Sequence, residues 1–383
     1  MLSSQKHLFQ LPDDIVYLNC AYMSPLLKSV EEAGIKGIFR KRNPSSIKPD
    51  DFFNEAEEIR LKLANIINAS PQQIAIIPSA SYGLKSVINN LPVNNGKHAI
   101  TVAEEFPSDY YTILNWCKKN DKELKVISPP NYPGDRGKNW NAKILEAINA
   151  DTAVVIISSI HWTDGTKFDL QKIGERCKEV NALFVVDGTQ SVGALPIDVT
   201  MYRIDALICA AYKWLLGPYS IGFAYFSEYF NQGIPLEDTW MNKPNANDFT
   251  SLISYVDGYK PGAARYNVGE FSNFILLPML NAALVQIIDW KVNLIQDYCG
   301  NLIKPLVQLL KEKDFWMEDE KYRTNHLFGF LLPQRVSPTH LLEKLHERKI
   351  FVSMRGNAIR VSLHLYNTER DIEALIEVLT TLQ

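Results

Sequence analysis

A large α/β domain on a mainly parallel sheet, followed by a smaller α+β domain, is the fold this sequence predicts. Three observations predict it. Short apolar runs alternate with helix-period stretches from about Gln73 to Phe226, as expected of strands joined by crossover helices. After about Asn273 the texture changes to a long helical stretch, then short strands mixed with helices. The chain has 383 residues, of which 46% are hydrophobic and 22% charged, ample apolar material for more than one core. The expected division is a large domain over 14–272 and a small one formed by 1–13 with 273–383.

Each element has a local reason. His98–Ala103, Leu124–Ser128, Thr152–Ser158, Leu183–Asp187, Asp205–Ala210 and Gly222–Phe226 are short and rich in Val, Ile and Leu, the pattern of strands buried on both faces. Between them Asp169–Ala182 places Leu170, Ile173, Cys177 and Val180 on one helical face. Helical character runs on to about Lys313, and "FGFLL", "IFVSM" and "AIRVSL" follow as strands. The last helix opens at "NTERD", capped by Thr368 or Asn367. Its apolar stripe is Ile372, Leu375, Leu379 and Leu382. No internal repeat or low-complexity linker interrupts the chain.

The formal net charge is −3, with no Lys/Arg block, which argues against nucleic-acid or membrane-surface partners. The five cysteines and seven histidines are scattered, without C-x-x-C or metal-ligand spacing; neither a disulfide frame nor a metal site is expected. "MLSSQKHLFQLPDD" lacks the apolar core of a signal peptide, and no apolar run reaches spanning length. The expected location is the cytoplasm.

Three features fall where a parallel sheet carries its ligand, beyond the carboxyl ends of the strands. Lys213, in "ICAAYKWLLGPYSIG", sits in an apolar run with no acid nearby; it either snorkels to water or is held dry for its amine. Asp187, in "VVDGTQ", ends a buried strand with Gln190 three residues on. It either caps a turn or answers a cation. Ser79-Ala80-Ser81 opens a helix in "IPSASYGLKS"; hydroxyls and free N–H groups there make either a plain cap or an anion site. The chain contains no G-x-G-x-x-G or Walker A loop, which removes the common nucleotide folds.

Taken together, "DGTQ…AAYKWLLGPYSIG", "VYLNCAYMSPL", "ARYNVGEFSN" and "AIRVSLHLYNTERDIEAL" resemble the class V aminotransferase family of pyridoxal-phosphate enzymes, over nearly the whole chain. The resemblance implies fold type I, pyridoxal 5′-phosphate as cofactor, a small amino-acid substrate and a homodimer. It further implies that Lys213 forms a Schiff base with the cofactor, its amine pKa lowered by the apolar pocket. Asp187 would then face the ring nitrogen and Gln190 the phenolic oxygen. Ser79, Ala80, Ser81 and the Tyr212 hydroxyl would hold the phosphate, and Phe106 would stack on the ring where desulfurases carry His. Gly269 would reach the neighbouring subunit's phosphate through its backbone, since Glu270 replaces the usual Thr. Arg360 would clamp the substrate carboxylate, with Arg355 as rival and Asn19 on the same side.

The family divides after the substrate binds. "FVSMRGNAIRVS" holds no cysteine where desulfurases need a mobile nucleophile, and Cys20 is expected to be buried and inert. His161 in "SSIHWTDG" is either an acid/base group or a structural His at a strand end. The expected reaction is transamination of an α-amino acid. The alternatives are a lyase (cysteine desulfurase or selenocysteine lyase type) and an epimerase of the isopenicillin-N type. A catalytically silent cofactor-binding protein is the reading from another class.

Overall fold

The computed structural model describes residues 2–131, 134–356 and 358–382. In chain order the elements are β1 (Val16–Tyr17), α1 (Lys28–Arg40), α2 (Asn54–Ile67), β2 (Ile74–Ile77), α3 (Ala80–Ile88), β3 (His98–Val102), α4 (Pro107–Lys119), β4 (Glu123–Ile127), α5 (Arg136–Ala147), β5 (Thr152–Ser158), α6 (Leu170–Glu179), β6 (Leu183–Asp187), β7 (Ala206–Ala210) and β8 (Gly222–Phe226). There follow α7 (Leu276–Trp290), α8 (Val292–Leu302), α9 (Lys304–Glu312), β9 (Trp316–Met317), β10 (Leu327–Leu331), α10 (Pro338–Glu347), β11 (Ile350–Phe351), β12 (Ser353–Arg355), β13 (Ala358–Ser362) and α11 (Glu369–Thr380).

The large sheet has seven strands in the order β2-β8-β7-β6-β5-β3-β4. Pairing is parallel from β4 through β7, and β8 runs antiparallel to both β7 and β2. Only residues 211–221 join β7 to β8, with no helix among them, too little for a parallel crossover. Every residue of β2, β3, β5, β6, β7 and β8 is buried, while the edge strand β4 is half-exposed. Continuous apolar runs therefore sit at the centre of the sheet, covered on both faces.

Helix ends follow their caps. Asp169 accepts from the Lys172 N–H to open α6, Pro107 occupies the first turn of α4, and Thr368 forms a capping box with Asp371 at α11; all three are favoured N-terminal chemistry.

The second sheet is antiparallel, β12-β13-β10-β9. Val16–Tyr17 pairs in parallel with Ile350–Phe351, and Leu18, Cys20, Leu27 and Val30 join the core under the second sheet. The N-terminal segment thus packs with the C-terminal strands and also reaches the large unit, where the Ser24 N–H donates to the Tyr212 carbonyl at 3.1 Å. Helix α7 serves both cores, giving Leu277, Leu280 and Leu284 to one and Ala283, Ile287 and Trp290 to the other.

Candidate active site

The carboxyl ends of β6 and β7, the turns that follow β2, β3 and β5, and the return into β8 surround one cavity of about 300 Å³. The chain reverses direction about β3, since β4 lies on one side of it and β5 on the other. A sheet of this type opens its crevice at such a point. Pro78, Ser79, Ala80, Phe106, Asp187 and Lys213 line the cavity, with Ser81, Ser108, Ser158, Trp162 and Thr189 beside them.

One wall is an anion cradle. Ser79 has extended backbone and caps α3, its hydroxyl accepting from the Tyr82 N–H at 3.3 Å and lying 3.0 Å from the Ser81 hydroxyl. The first N–H groups of α3 have no helical partner, and Ala80 and Ser81, which carry them, line this space, where the helix dipole favours negative charge. Tyr212 and Tyr219 line the same cavity with ring centroids 4.7 Å apart.

Lys213 follows β7 and is only 6% exposed. Its Nζ lies 5.7 Å from the Phe106 ring centroid and 5.6 Å from that of Tyr212. Burial holds the amine down at about pKa 8, with Asp187 opposing the shift and Arg360 adding to it. The backbone is shaped to place it there. Leu216 adopts the left-handed conformation at φ 54° to close the turn. Gly193, at φ 98°, lies so close to the Trp214 carbonyl that a Cβ would sit 2.4 Å from its oxygen, so only glycine fits.

Asp187 is 6% exposed and accepts from the Thr189 N–H at 2.7 Å. Thr189 in turn accepts from the Ala210 N–H at 3.1 Å, tying β6 to β7. Gln190 is oriented by Trp214, which donates to its Oε1 at 3.0 Å, and by its own donation to the Ala21 carbonyl at 3.3 Å.

Arg360 lies on β13 just outside the lining. It is 1% exposed and donates to the Trp162 carbonyl at 2.6 Å and to the Ser353 hydroxyl at 3.4 Å. Among the described residues its Nε has no hydrogen-bond partner and no carboxylate pairs with it. Burial, then the charge of Arg355, lowers its pKa to about 9. Asn19 accepts from the Ser353 hydroxyl at 2.8 Å, so Asn19, Ser353 and Arg360 form one chain. Arg355 is half-buried, with its guanidinium carbon 5.7 Å from the Trp162 ring centroid.

Two expected residues lie elsewhere. His161 is fully buried beneath the cavity and does not line it. Its Nε2 donates to the Ala103 carbonyl at 3.2 Å, and its Nδ1 lies 2.8 Å from the Thr163 hydroxyl and 3.6 Å from Asp164. Burial alone would lower its pKa, but the Asp164 contact and the Glu105 charge outweigh it and raise it. Gly269 does not line the cavity of its own chain, and its N–H donates to Glu237 at 2.5 Å. Conversely Glu105, Ser158 and Thr189 come to the site without having been singled out. Glu105 accepts from the Ser158 and Phe106 N–H groups at 2.8 Å each and from the Ser158 hydroxyl. Thr189 had a signal in lying between Asp187 and Gln190; Glu105 and Ser158 had none, because strand-end polar residues are common.

All five cysteines are buried and free. Cys20 is fully enclosed, and burial pushes its thiol up to about 12.

An anion cradle at a helix start, a flat aromatic wall, a carboxylate and a dry amine together fit pyridoxal phosphate, which needs one of each. They define a site of the fold type I class. A family model for class V aminotransferases matches residues 46–375. The uncharacterized aminotransferase YcbU of Bacillus subtilis (strain 168) is 27% identical over 324 residues, 84% of this chain and 82% of that protein. The cysteine desulfurase IscS of Proteus mirabilis (strain HI4320) is 32% identical over 225 residues, covering 55% of this chain and only 53% of its own. Among solved structures, C-DES with glycine covalently linked to its PLP cofactor superposes with TM-score 0.84 at 19% identity, over 100% of both chains; that likeness establishes the fold. The chain belongs to the class V aminotransferase family and is a pyridoxal-phosphate-dependent enzyme. Among the described residues no helix is long and apolar enough to cross a membrane.

Proposed function

We propose that the protein is an aminotransferase acting on an α-amino acid, with Lys213 as its proton carrier. The observation that carries this reading is the buried Lys213 amine, free of any ion pair among the described residues, in one cavity with Asp187 and the Ser79–Ser81 cradle. When bound, the cofactor supplies an aldehyde to capture the substrate amine and a ring to take up electrons from Cα. The chain's own residues do the rest. Ser79, Ala80 and Ser81 hold the phosphate, with the Tyr212 hydroxyl beside them. Phe106 would cover one face of the ring, and Gln190 would meet its phenolic oxygen. Asp187 keeps the ring nitrogen protonated. Lys213, with a pKa near 8, would take the proton from the substrate Cα and deliver one to the carbon that was the cofactor's aldehyde, as amino transfer requires. Arg360 binds the substrate carboxylate, assisted by Asn19 through Ser353 and by Arg355 at the rim. His161 acts from below, bracing the turn that carries Trp162. Homodimerisation in the cytoplasm completes the reading.

The buried thiols support transamination over desulfuration, since a persulfide-forming cysteine must be exposed and ionisable. A carbon–sulfur lyase needs no such thiol, and the cystine C-S lyase C-DES shares this fold; this is the second reading. Supplying single amino acids with a 2-oxo acid acceptor, and following the cofactor's spectrum and the products, separates them. Amino transfer to the acceptor is expected. Release of sulfide or persulfide without transfer would assign the lyase, and Cα hydrogen exchange with inversion alone would assign the epimerase.

A further inference from the structure

Behind Asp187 lies a carboxyl group that the site as described does not use. Asp109 stands in the first turn of α4, after Phe106 and Pro107 have set the helix against the cavity. It is 0% exposed. Neither of its oxygens accepts a well-formed hydrogen bond from any described N–H or O–H group. Its side-chain hydrogen-bond partner is another carboxyl, that of Asp187. The charged groups facing it are Asp187 from β6, Glu105 from the turn before α4, and Lys213 from the turn after β7. Glu105 is already satisfied by Ser158 and Phe106, and Lys213 makes no ion pair with Asp109 among the described residues.

Two carboxylates in hydrogen-bond contact in a dry site cannot both be ionised, and the one lacking other donors keeps the proton. Asp187 already accepts from the Thr189 N–H; the Asp109 carboxyl has its own backbone N–H beside it, but neither oxygen accepts a well-formed bond. We propose that Asp109 is a positioning residue whose carboxyl stays protonated and donates to Asp187, so that the pair carries a single negative charge aimed into the cavity. The inference rests on the reading that Asp187 faces the cofactor ring. Burial, then the charges of Asp187 and Glu105, pushes the Asp109 pKa well above the ordinary carboxyl range, in keeping with that geometry. One negative charge matches one protonated ring nitrogen; two would over-stabilise the Lys213 ammonium and hinder its release of a proton. The donated hydrogen bond also limits the directions in which the Asp187 carboxylate can turn.

Three measurements test this. Infrared spectra of the cofactor-free protein at pH 8 should show a protonated-carboxyl carbonyl band that disappears in Asp109→Asn. A spectrum in which that substitution removes no such band would overturn the proposal. In the cofactor-loaded protein the visible band is titrated with pH and the cofactor Kd measured. Asp109→Asn keeps a donor and changes no charge, so the midpoint should move by less than about 0.3 unit and Kd by less than about twofold. Asp109→Leu removes the donor and should weaken cofactor binding by about tenfold or more, the loss expected of a hydrogen bond to a charged group. A midpoint about one unit lower in Asp109→Asn would show that Asp109 is ionised, and would overturn the proposal. So would an Asp109→Leu protein that binds like the wild type. If the wild type takes up no cofactor while the infrared band behaves as expected, the proton-sharing pair stands and the reading of the cavity fails.

Discussion

Lys213 sits 26 residues past Asp187 in a chain whose strands are all apolar there, and its type alone leaves open whether it is a solvated cation. Burial to 6% exposure and a pKa near 8 remove that ambiguity. Borohydride treatment of the cofactor-loaded protein should attach the pyridoxyl group to the peptide containing Lys213 and to no other. The same amine makes a stability prediction for the cofactor-free protein. Its folded pKa lies below its unfolded value, so between about pH 8 and 10.5 the unfolded chain binds more protons, and the cost of burying the amine fades as pH rises. Lys213→Met should therefore stabilise the cofactor-free fold below pH 8, by a few kcal/mol at most. Urea unfolding from pH 7 to 10 should show that gain shrinking; a constant difference would mean the amine is not desolvated. Arg360 is the second residue whose burial decides its role. Truncating one partner of a desolvated charge pair costs roughly 2–5 kcal/mol. Arg360→Ala should thus lower kcat/KM by roughly 30-fold to a few thousand-fold with cofactor content unchanged, and Arg360→Lys should not rescue it. Near-normal turnover in both, with loss only in Arg355→Ala, would transfer the clamp to Arg355.

Elements were legible where a strand or helix carries its own signal. β5, β6 and β8 run over the residues expected, and α6 begins after the Asp169 cap as its spacing predicts. β8 shows what was less plain: its apolar run says strand, but its antiparallel direction comes from the short helix-free connection behind it. The anion cradle belongs to this scale, because Ser79 serves α3 and the cavity at once. Ser79→Ala should lose stability by about 0.5–2 kcal/mol, the usual cost of removing a cap, and should also weaken cofactor binding. Ser81→Ala, which removes no cap, should weaken binding while leaving the melting temperature unchanged. Thermal melts with and without cofactor, beside a measured Kd, separate the two; equal loss of stability in both would remove the cap from the account.

At the scale of the whole molecule, α7 packs against both α1 and α2; Ile38, Phe39, Leu61 and Val285 on these helices are exposed, and Ile253 and Tyr255, in the segment between β8 and α7, are almost fully so. Exposed apolar side chains on neighbouring helices are the kind of surface that the proposed homodimer would cover. Sedimentation should find a dimer for the wild type and a monomer for the Ile38→Glu, Phe39→Glu double variant. A monomeric wild type would remove the second subunit from the site.

The sequence by itself determined the strand–helix alternation, the family, and the residues that stand at strand ends facing a ligand, because these depend on local periodicity and on residue type. Ser79, Ala80, Ser81, Phe106, Asp187, Gln190, Tyr212 and Lys213 are all at such ends and line one cavity. Tertiary structure alone decided where the side chains around them point. His161 follows a strand just as Asp187 ends one, yet it turns down into the core towards Asp164; Asp109 is sealed from solvent with the Asp187 carboxyl as its neighbour. It also decided that Leu18, Cys20, Leu27 and Val30 share one core with residues distant in the sequence, such as Leu327 and Ile359. The physical reason is common to these cases. In a sheet buried on both faces every residue is apolar in its surroundings, so period carries no information about direction, and only packing between distant segments settles which polar group faces the cavity and which is sealed behind it.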